Sequence, residues 1–230
     1  MRQIILDTET TGISPTSGHR VIEIGCVELV NRRLTNRHFH TYINPEREVD
    51  EGAFKVHGIS TAFLQDKPVF KEICHEFLAF VDGAELIIHN APFDVGFLNA
   101  ELKAMHWKQT LEQHCQIFDT LVLAREKHPG LRNTLDALCK RYDVDNSNRD
   151  LHGALLDAEI LAHVYLAMTG GQTELFSLDS LDNSQTTQTS TVSTLTSQSP
   201  VVYATEDEIT AHDTFVQFLI KKSGVDLFET

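Results

Sequence analysis

Gln3-Ile4-Ile5-Leu6-Asp7-Thr8-Glu9-Thr10-Thr11-Gly12 is the stretch on which the reading of this chain turns. Its three consecutive apolar residues, Ile4 to Leu6, describe a strand covered on both faces, as strands are in sheets flanked by helices. That strand, Gln3–Leu6, runs straight into two carboxylates. Side chains alternate faces along a strand, so Asp7 and Glu9 point the same way and converge on one spot at its end. Paired hard oxygen ligands suit Mg²⁺ or Mn²⁺ far better than a metal that prefers thiolates. An acidic pair after a strand is also what a solvated loop or a helix cap provides, so its meaning depends on what else the chain brings to it.

Outward from this strand, strands and helices alternate. Val21–Val30 and Leu34–Ile43 flank Asn31-Arg32-Arg33 and read as a hairpin. Val69–Val81 carries apolar residues at Val69, Ile73, Phe77 and Phe80, a helical stripe closed by Asp82-Gly83. Leu86–Ile88 is a short buried strand entering His89-Asn90-Ala91-Pro92, where Asn90 or Ala91 caps a helix and Pro92 sits near its first position. Ile117-Phe118 is a fifth strand. Helices follow over Thr120–Lys127, Leu135–Tyr142 and Ala154–Met168, the last stopped by Gly170-Gly171. The expected product is an α/β fold: a mixed five-stranded sheet with helices on both faces.

The 230 residues, 41% of them apolar, are enough for one well-buried domain plus an appendage. No run is long and apolar enough to span a membrane, and the first residues lack a signal-peptide core. Cys26, Cys74, Cys115 and Cys139 form no CxxC pair and read as reduced structural thiols. The net charge of −14 is unusual for a chain that grips nucleic acid unaided. A nucleic-acid substrate would have to be held by metal ions and a few local contacts, or delivered by a partner.

Three further residues join Asp7 and Glu9. Asp94 opens the helix after Pro92, where a carboxylate also suits the helix dipole. Asp157 lies in the apolar run Ala154-Leu155-Leu156-Asp157-Ala158, where a lone buried carboxylate would be costly unless paired. His152 stands five residues before it. In a two-metal hydrolytic site, carboxylates hold two cations about 4 Å apart astride a scissile phosphate. One cation activates the attacking water and the other stabilises the leaving oxygen, while neutral histidine is suited to take the water's proton near pH 7. The set therefore points to metal-dependent hydrolysis of a phosphodiester.

The order and spacing of these residues resemble the DEDDh family of 3′→5′ exonucleases. Asp7-Thr8-Glu9-Thr10-Thr11-Gly12 is similar to its first motif, Asn90-Ala91-Pro92-Phe93-Asp94 to its second, and His152-Gly153-Ala154-Leu155-Leu156-Asp157 to its third. The resemblance covers residues 1 to about 170 and implies an RNase H-like fold. It makes Asp7, Glu9, Asp94 and Asp157 ligands of two divalent cations, Mg²⁺ or Mn²⁺, and His152 the general base. It also implies substrate contacts at Asp7, Glu9, Thr10, Val56, His57 and Asp157. Gly52 departs from the pattern, because related enzymes are expected to place a side chain there near the terminal nucleotide.

Beyond Gly171 the composition changes. Ser180 to Ser199 is mostly Ser, Thr, Gln and Asn, too polar to offset its ordering entropy, and reads as a flexible linker. Thr205-Glu206-Asp207-Glu208 then forms a capping box for a helix over about 205–222, with an apolar side at Ile209, Phe215, Val216, Leu219 and Ile220. This tail is similar to that of proofreading members that ride on a replicative polymerase. The expected division is a nuclease domain 1–171, a linker 172–200 and a docking segment 201–230. The implied partners are the alpha (polymerase) subunit of DNA polymerase III through 201–230, the sliding clamp through Gln172, Leu175 and Phe176, and a frayed or single-stranded 3′ DNA end. No membrane is involved, and the implied location is the bacterial cytoplasm, at the nucleoid with the replisome. Two alternatives stand beside this reading: an RNA-trimming exoribonuclease of the same family, and a non-catalytic scaffold bridging polymerase and clamp.

Overall fold

The computed structural model describes residues 1–149, 151–170 and 205–223. The chain divides into two units, Met1–Asp179 and Ser180–Thr230. In the first, strands β1 (Arg2–Thr10), β2 (Val21–Val30), β3 (Arg33–Tyr42), β4 (Glu85–Ile88) and β5 (Gln116–Asp119) form one sheet in the order β3-β2-β1-β4-β5. β1 is antiparallel to β2 and parallel to β4, and β4 is parallel to β5. The sheet is therefore mixed and five-stranded, as the alternating pattern predicts.

The helices of this unit are α1 (Glu51–His57), α2 (Thr61–Leu64), α3 (Phe70–Val81), α4 (Ala91–Ala104), α5 (Thr120–Lys127), α6 (Leu135–Tyr142) and α7 (Ala154–Thr169). On one face of the sheet, Ile4, Leu6, Ile24, Leu86 and Ile88 pack with Phe70, Phe77, Phe97 and Leu98 of α3 and α4. On the other, Ile5, Val27, Leu29 and Ile87 pack with Ala158, Leu161, Ala162 and Tyr165 of α7. α7 also buries Ile160, Val164 and Met168 with Leu138 and Cys139 of α6. It is apolar nearly all round because it is covered on both sides, which explains the unbroken run around Asp157. The four cysteines are free and buried.

Three details differ from the sequence reading. β1 continues past Leu6 to Thr10, because β2 pairs with it from Arg2–Val30 through Thr10–Val21, so Asp7 and Glu9 lie within the strand and not beyond its end. The hairpin turns on Asn31 and Arg32 alone, both left-handed at φ 49° and 63°, the twist that two-residue hairpins favour. Val56 and His57 belong to a short helix, α1, that the sequence reading did not pick out.

Gly25 of β2 is directly opposite Asp7. A Cβ at Gly25 would overlap the backbone of Ala154 and Leu155, so its absence lets the first turn of α7 settle on the sheet beside Asp7. Glu23, two residues away and buried, accepts a hydrogen bond from the Ala154 amide at 3.2 Å. Between them these two residues of β2 locate the start of α7.

In the second unit the described residues form α8 (Glu206–Ser223). Its start carries the expected capping box: the Glu208 carboxylate accepts from the Thr205 amide at 2.8 Å, and Thr205 Oγ1 accepts from the Glu208 amide at 3.4 Å. No helix among the described residues is long and apolar enough to cross a membrane. Gln172, Leu175 and Phe176 lie outside the described residues.

Candidate active site

A cavity of about 930 Å³ opens at the C-terminal ends of β1 and β4. Asp7, Glu9, Asp94, His152 and Asp157 all line it. They arrive from separate parts of the fold. Asp7 and Glu9 stand on the face of β1 that meets α7, Asp94 is in the first turn of α4, and Asp157 is in the first turn of α7.

The turn into α4 explains how Asp94 reaches across the sheet end. Asn90 occupies the cap position in a left-handed conformation at φ 70°, which asparagine tolerates better than most residues. Its side chain makes no cap bond; its amide instead donates to Asp119 Oδ1 of β5 at 3.1 Å. Pro92 follows within the first turn of the helix. Asp94 is then fixed from the opposite face of β1 by Thr8, whose hydroxyl donates to Asp94 Oδ1 at 2.6 Å.

Among the described residues, Glu9, His152 and Asp157 offer ligand atoms that all lie within 4.8 Å of one another. Asp7 and Asp94 share the cavity but fall outside this trio. Electrostatics link all four carboxylates. Asp7 is partly open to the cavity yet deep among protein atoms; burial, then repulsion from Asp94, Glu9 and Asp157, holds its carboxyl well above the ordinary range. Burial and the charges of Asp157, Glu23 and Asp94 push Glu9 up to about 8. Burial likewise pushes Asp94 up to about 7, against the stabilising hydrogen bond from Thr8. Asp157 goes the other way: burial would raise it, but its close neighbours His152 and Arg149, and the Arg149 charge, outweigh burial and leave it below the ordinary range.

Arg149 was not among the residues picked out from the sequence. Its Nε and Nη2 donate to the two oxygens of Asp157 at 2.5 and 2.7 Å, and its Nη1 donates to Asp136 at 2.7 Å. Nη2 also lies 2.8 Å from His152 Nδ1. The cost of burying a carboxylate in the Ala154–Ala158 run is thus met by a bidentate ion pair. The only sequence signal for it was an arginine three residues before His152.

The remaining predicted contacts sit next door. Thr10, Val56 and His57, with Glu9, Thr8 and Phe93, line a second cavity of about 360 Å³. His57 accepts from the Ile59 amide through Nδ1, while its Nε2 is enclosed by protein. Gly52 also lines this cavity, and a side chain there would meet open space, so the contact expected from related enzymes is missing from this wall.

The donor set fits divalent cations. Oxygen ligands and one imidazole face a common space, and one guanidinium is all the positive charge in contact with them among the described residues. Carboxyl groups raised by one another's charge would be relieved by a bound cation.

Comparison with known proteins follows the same lines. Residues 4–165 match the model of the exonuclease family named for RNase T. The DNA polymerase III subunit epsilon of Salmonella typhimurium is 50% identical over 233 residues, spanning 97% of this chain and 95% of that protein. The subunit of the same name from Escherichia coli is 49% identical, with the same coverage. That from Rickettsia prowazekii is 48% identical over 225 residues, spanning 96% of this chain and 97% of the relative. Among solved structures, exonuclease X in complex with 5′-overhanging duplex DNA superposes with a TM-score of 0.58 at 24% identity, covering 74% of this chain and 92% of that one. A 3′-exonuclease that recognises a histone mRNA stem-loop gives 0.62 at 17% identity, covering 73% and 80%. These two likenesses show the fold.

Proposed function

The chain belongs to the exonuclease family, and within it to the DNA polymerase III epsilon subunits; from that premise we propose how its residues carry out proofreading 3′→5′ hydrolysis of DNA. The observation that carries the reading is the arrival of four carboxylates and His152 at one cavity from three separate elements.

Asp7, Glu9, Asp94 and Asp157 would hold two divalent cations, Mg²⁺ or Mn²⁺. Bound there, the cations supply Lewis acidity toward water and neutralise charge on the phosphodiester. The chain's own residues do the rest. Thr8 holds Asp94 in its inward rotamer, and Gly25 and Glu23 seat α7 so that Asp157 faces β1. His152 is partly exposed at the cavity rim, where a ring nitrogen can accept the proton of an attacking water and pass it to solvent. Thr10, Val56 and His57 would receive the terminal nucleotide in the adjoining cavity. Glu9 lines both cavities, so the terminal nucleotide and the hydrolytic centre share a wall.

The division into a nuclease domain 1–171, a tether 172–200 and a docking segment 201–230 belongs to the same proposal. The segment carrying α8 binds the polymerase subunit, Gln172, Leu175 and Phe176 bind the sliding clamp, and the work is done in the cytoplasm at the replisome. Those partners bring the DNA, which is how a chain of net charge −14 can act on it. Deleting residues 201–230 is expected to leave hydrolysis of free single-stranded DNA intact and to abolish co-elution with the polymerase subunit. Co-elution of the truncated chain would put the docking surface on the nuclease domain instead. Replacing Gln172, Leu175 and Phe176 by alanine should weaken clamp binding alone.

A further inference from the structure

One side chain, Arg149, holds two of the groups on which the proposed chemistry depends. Its guanidinium covers both oxygens of Asp157, and the same Nη2 lies 2.8 Å from His152 Nδ1. A guanidinium only donates, so in a neutral imidazole facing it Nδ1 must be the acceptor and the ring proton must sit on Nε2. The single lone pair that could take a proton from water is then occupied. Nδ1 also lies 3.2 Å from Asp157 Oδ2, and one nitrogen cannot accept from Arg149 and donate to Asp157 at once. With Arg149 displaced, Nδ1–H can donate to Asp157, which leaves Nε2 free as the base.

We propose that Arg149 is a positioning residue that acts as the site's internal cation. It holds Asp157 and His152 in a resting arrangement until a divalent cation takes its place, and its departure releases the catalytic tautomer of His152. The argument rests on the reading that these carboxylates hold divalent cations. Arg149 is well suited to the exchange. Its side chain is largely buried against Asp157, yet Nη1 already rests on Asp136, an exposed carboxylate at the cavity rim that is not among the proposed cation ligands. A charge matched to Asp157 keeps the segment before α7 in place in the absence of metal, and competition for the same oxygens sets how tightly metal binds.

The test is a calorimetric titration of the full chain with Mn²⁺ alone, paired with thermal melts without metal, for wild type, Arg149→Gln and Arg149→Lys. Arg149→Gln is expected to melt at a lower temperature than wild type without metal, and to bind Mn²⁺ about tenfold or more tightly, as follows when a resting state that blocks the site most of the time is removed. Arg149→Lys keeps the charge but not the fork, and should fall between wild type and Arg149→Gln in both measurements. Were Arg149 merely part of the scaffold, its loss would misplace Asp157 and weaken Mn²⁺ binding together with stability. Equal or weaker Mn²⁺ binding by the folded variants therefore overturns the proposal while leaving the cation site itself intact. A wild-type protein that binds no Mn²⁺ removes the cation reading and this inference with it.

Discussion

Glu9 and Asp157 are both nearly buried, at 9% and 3% exposure, and face the same cavity, yet their surroundings shift them in opposite directions. Burial and carboxylate neighbours push Glu9 up to about 8, whereas His152 and Arg149 keep Asp157 below its ordinary value. Burial alone therefore does not decide the state of a carboxylate here; the nearest cation does. The strand wall of the site, β1 with Asp94 beside it, gathers carboxyl groups raised by burial and by one another, with no cation of its own. The wall made by residues 149–157 brings its own. A site built in this way supplies part of its counter-charge itself and leaves clustered carboxyl groups whose repulsion a bound cation would relieve.

The largest effects should come from breaking either wall. Asp7→Ala or Asp157→Ala should abolish exonuclease activity, a loss larger than the roughly 10²–10⁴-fold a general base contributes. The two walls should part company in melts without metal. Glu9→Gln removes a repelled carboxyl and should hold or raise the melting temperature, whereas Asp157→Asn strands the Arg149 charge and should lower it. Equal shifts in the two variants would erase the contrast between the walls.

Next in size is His152→Ala, expected to lose about 10² or more in turnover and the acidic limb of the pH–rate profile, with Mn²⁺ binding retained. An unchanged profile would assign the proton to another group. Gly25→Ala should cost roughly 1–3 kcal/mol, the usual range for overpacking, because the new methyl meets the backbone of Ala154 and Leu155. It should also lower activity, by moving the turn that carries His152 and Asp157 away from Asp7. If activity were undiminished in the folded variant, the close approach of α7 to β2 would not be what aligns the site.

The smallest expected effect is on the pH dependence of stability without metal. Folded Glu9 keeps its proton to about 8, against an ordinary value of 4.5, so between these values the folded state binds the extra proton and stability falls as pH rises. Asp157 contributes in the opposite sense: its stabilisation is present above the ordinary carboxylate range and is lost only as pH falls below it. His57 and His89, held low by burial, add a rising contribution below about 6.5. The comparison is therefore made above that pH. From pH 6.5 to 8, wild type should lose stability relative to Glu9→Gln, and saturating Mg²⁺ should remove the difference. Parallel curves would mean that Glu9 is already ionised.

The strand wall was legible in the sequence because its information is local. An apolar run entering Asp7 and Glu9, and a short strand entering Asn90-Ala91-Pro92-Phe93-Asp94, each encode their own geometry. The run around Asp157 was legible as a helix, and so was the need for a partner to its buried charge. The partner itself was not: Arg149 lies in an irregular segment where no periodicity marks which side chain turns inward. Gly25 was hidden for a related reason, since the helix that needs its missing side chain lies far along the chain. α1 escaped notice because it is one short, mostly exposed helix with Gly52 inside it and His57 as its sole buried residue, too little for a recognisable stripe.

The most direct test of the account is to incubate the purified chain with Mg²⁺ and a primer–template bearing a mispaired 3′ end, beside Asp7→Ala and a chelator control. The account predicts stepwise release of mononucleotides from the 3′ end by the wild-type chain, and none from the variant or under chelation. Release by Asp7→Ala at the wild-type rate, or wild-type cleavage that proceeds from the 5′ end or survives chelation, would contradict it.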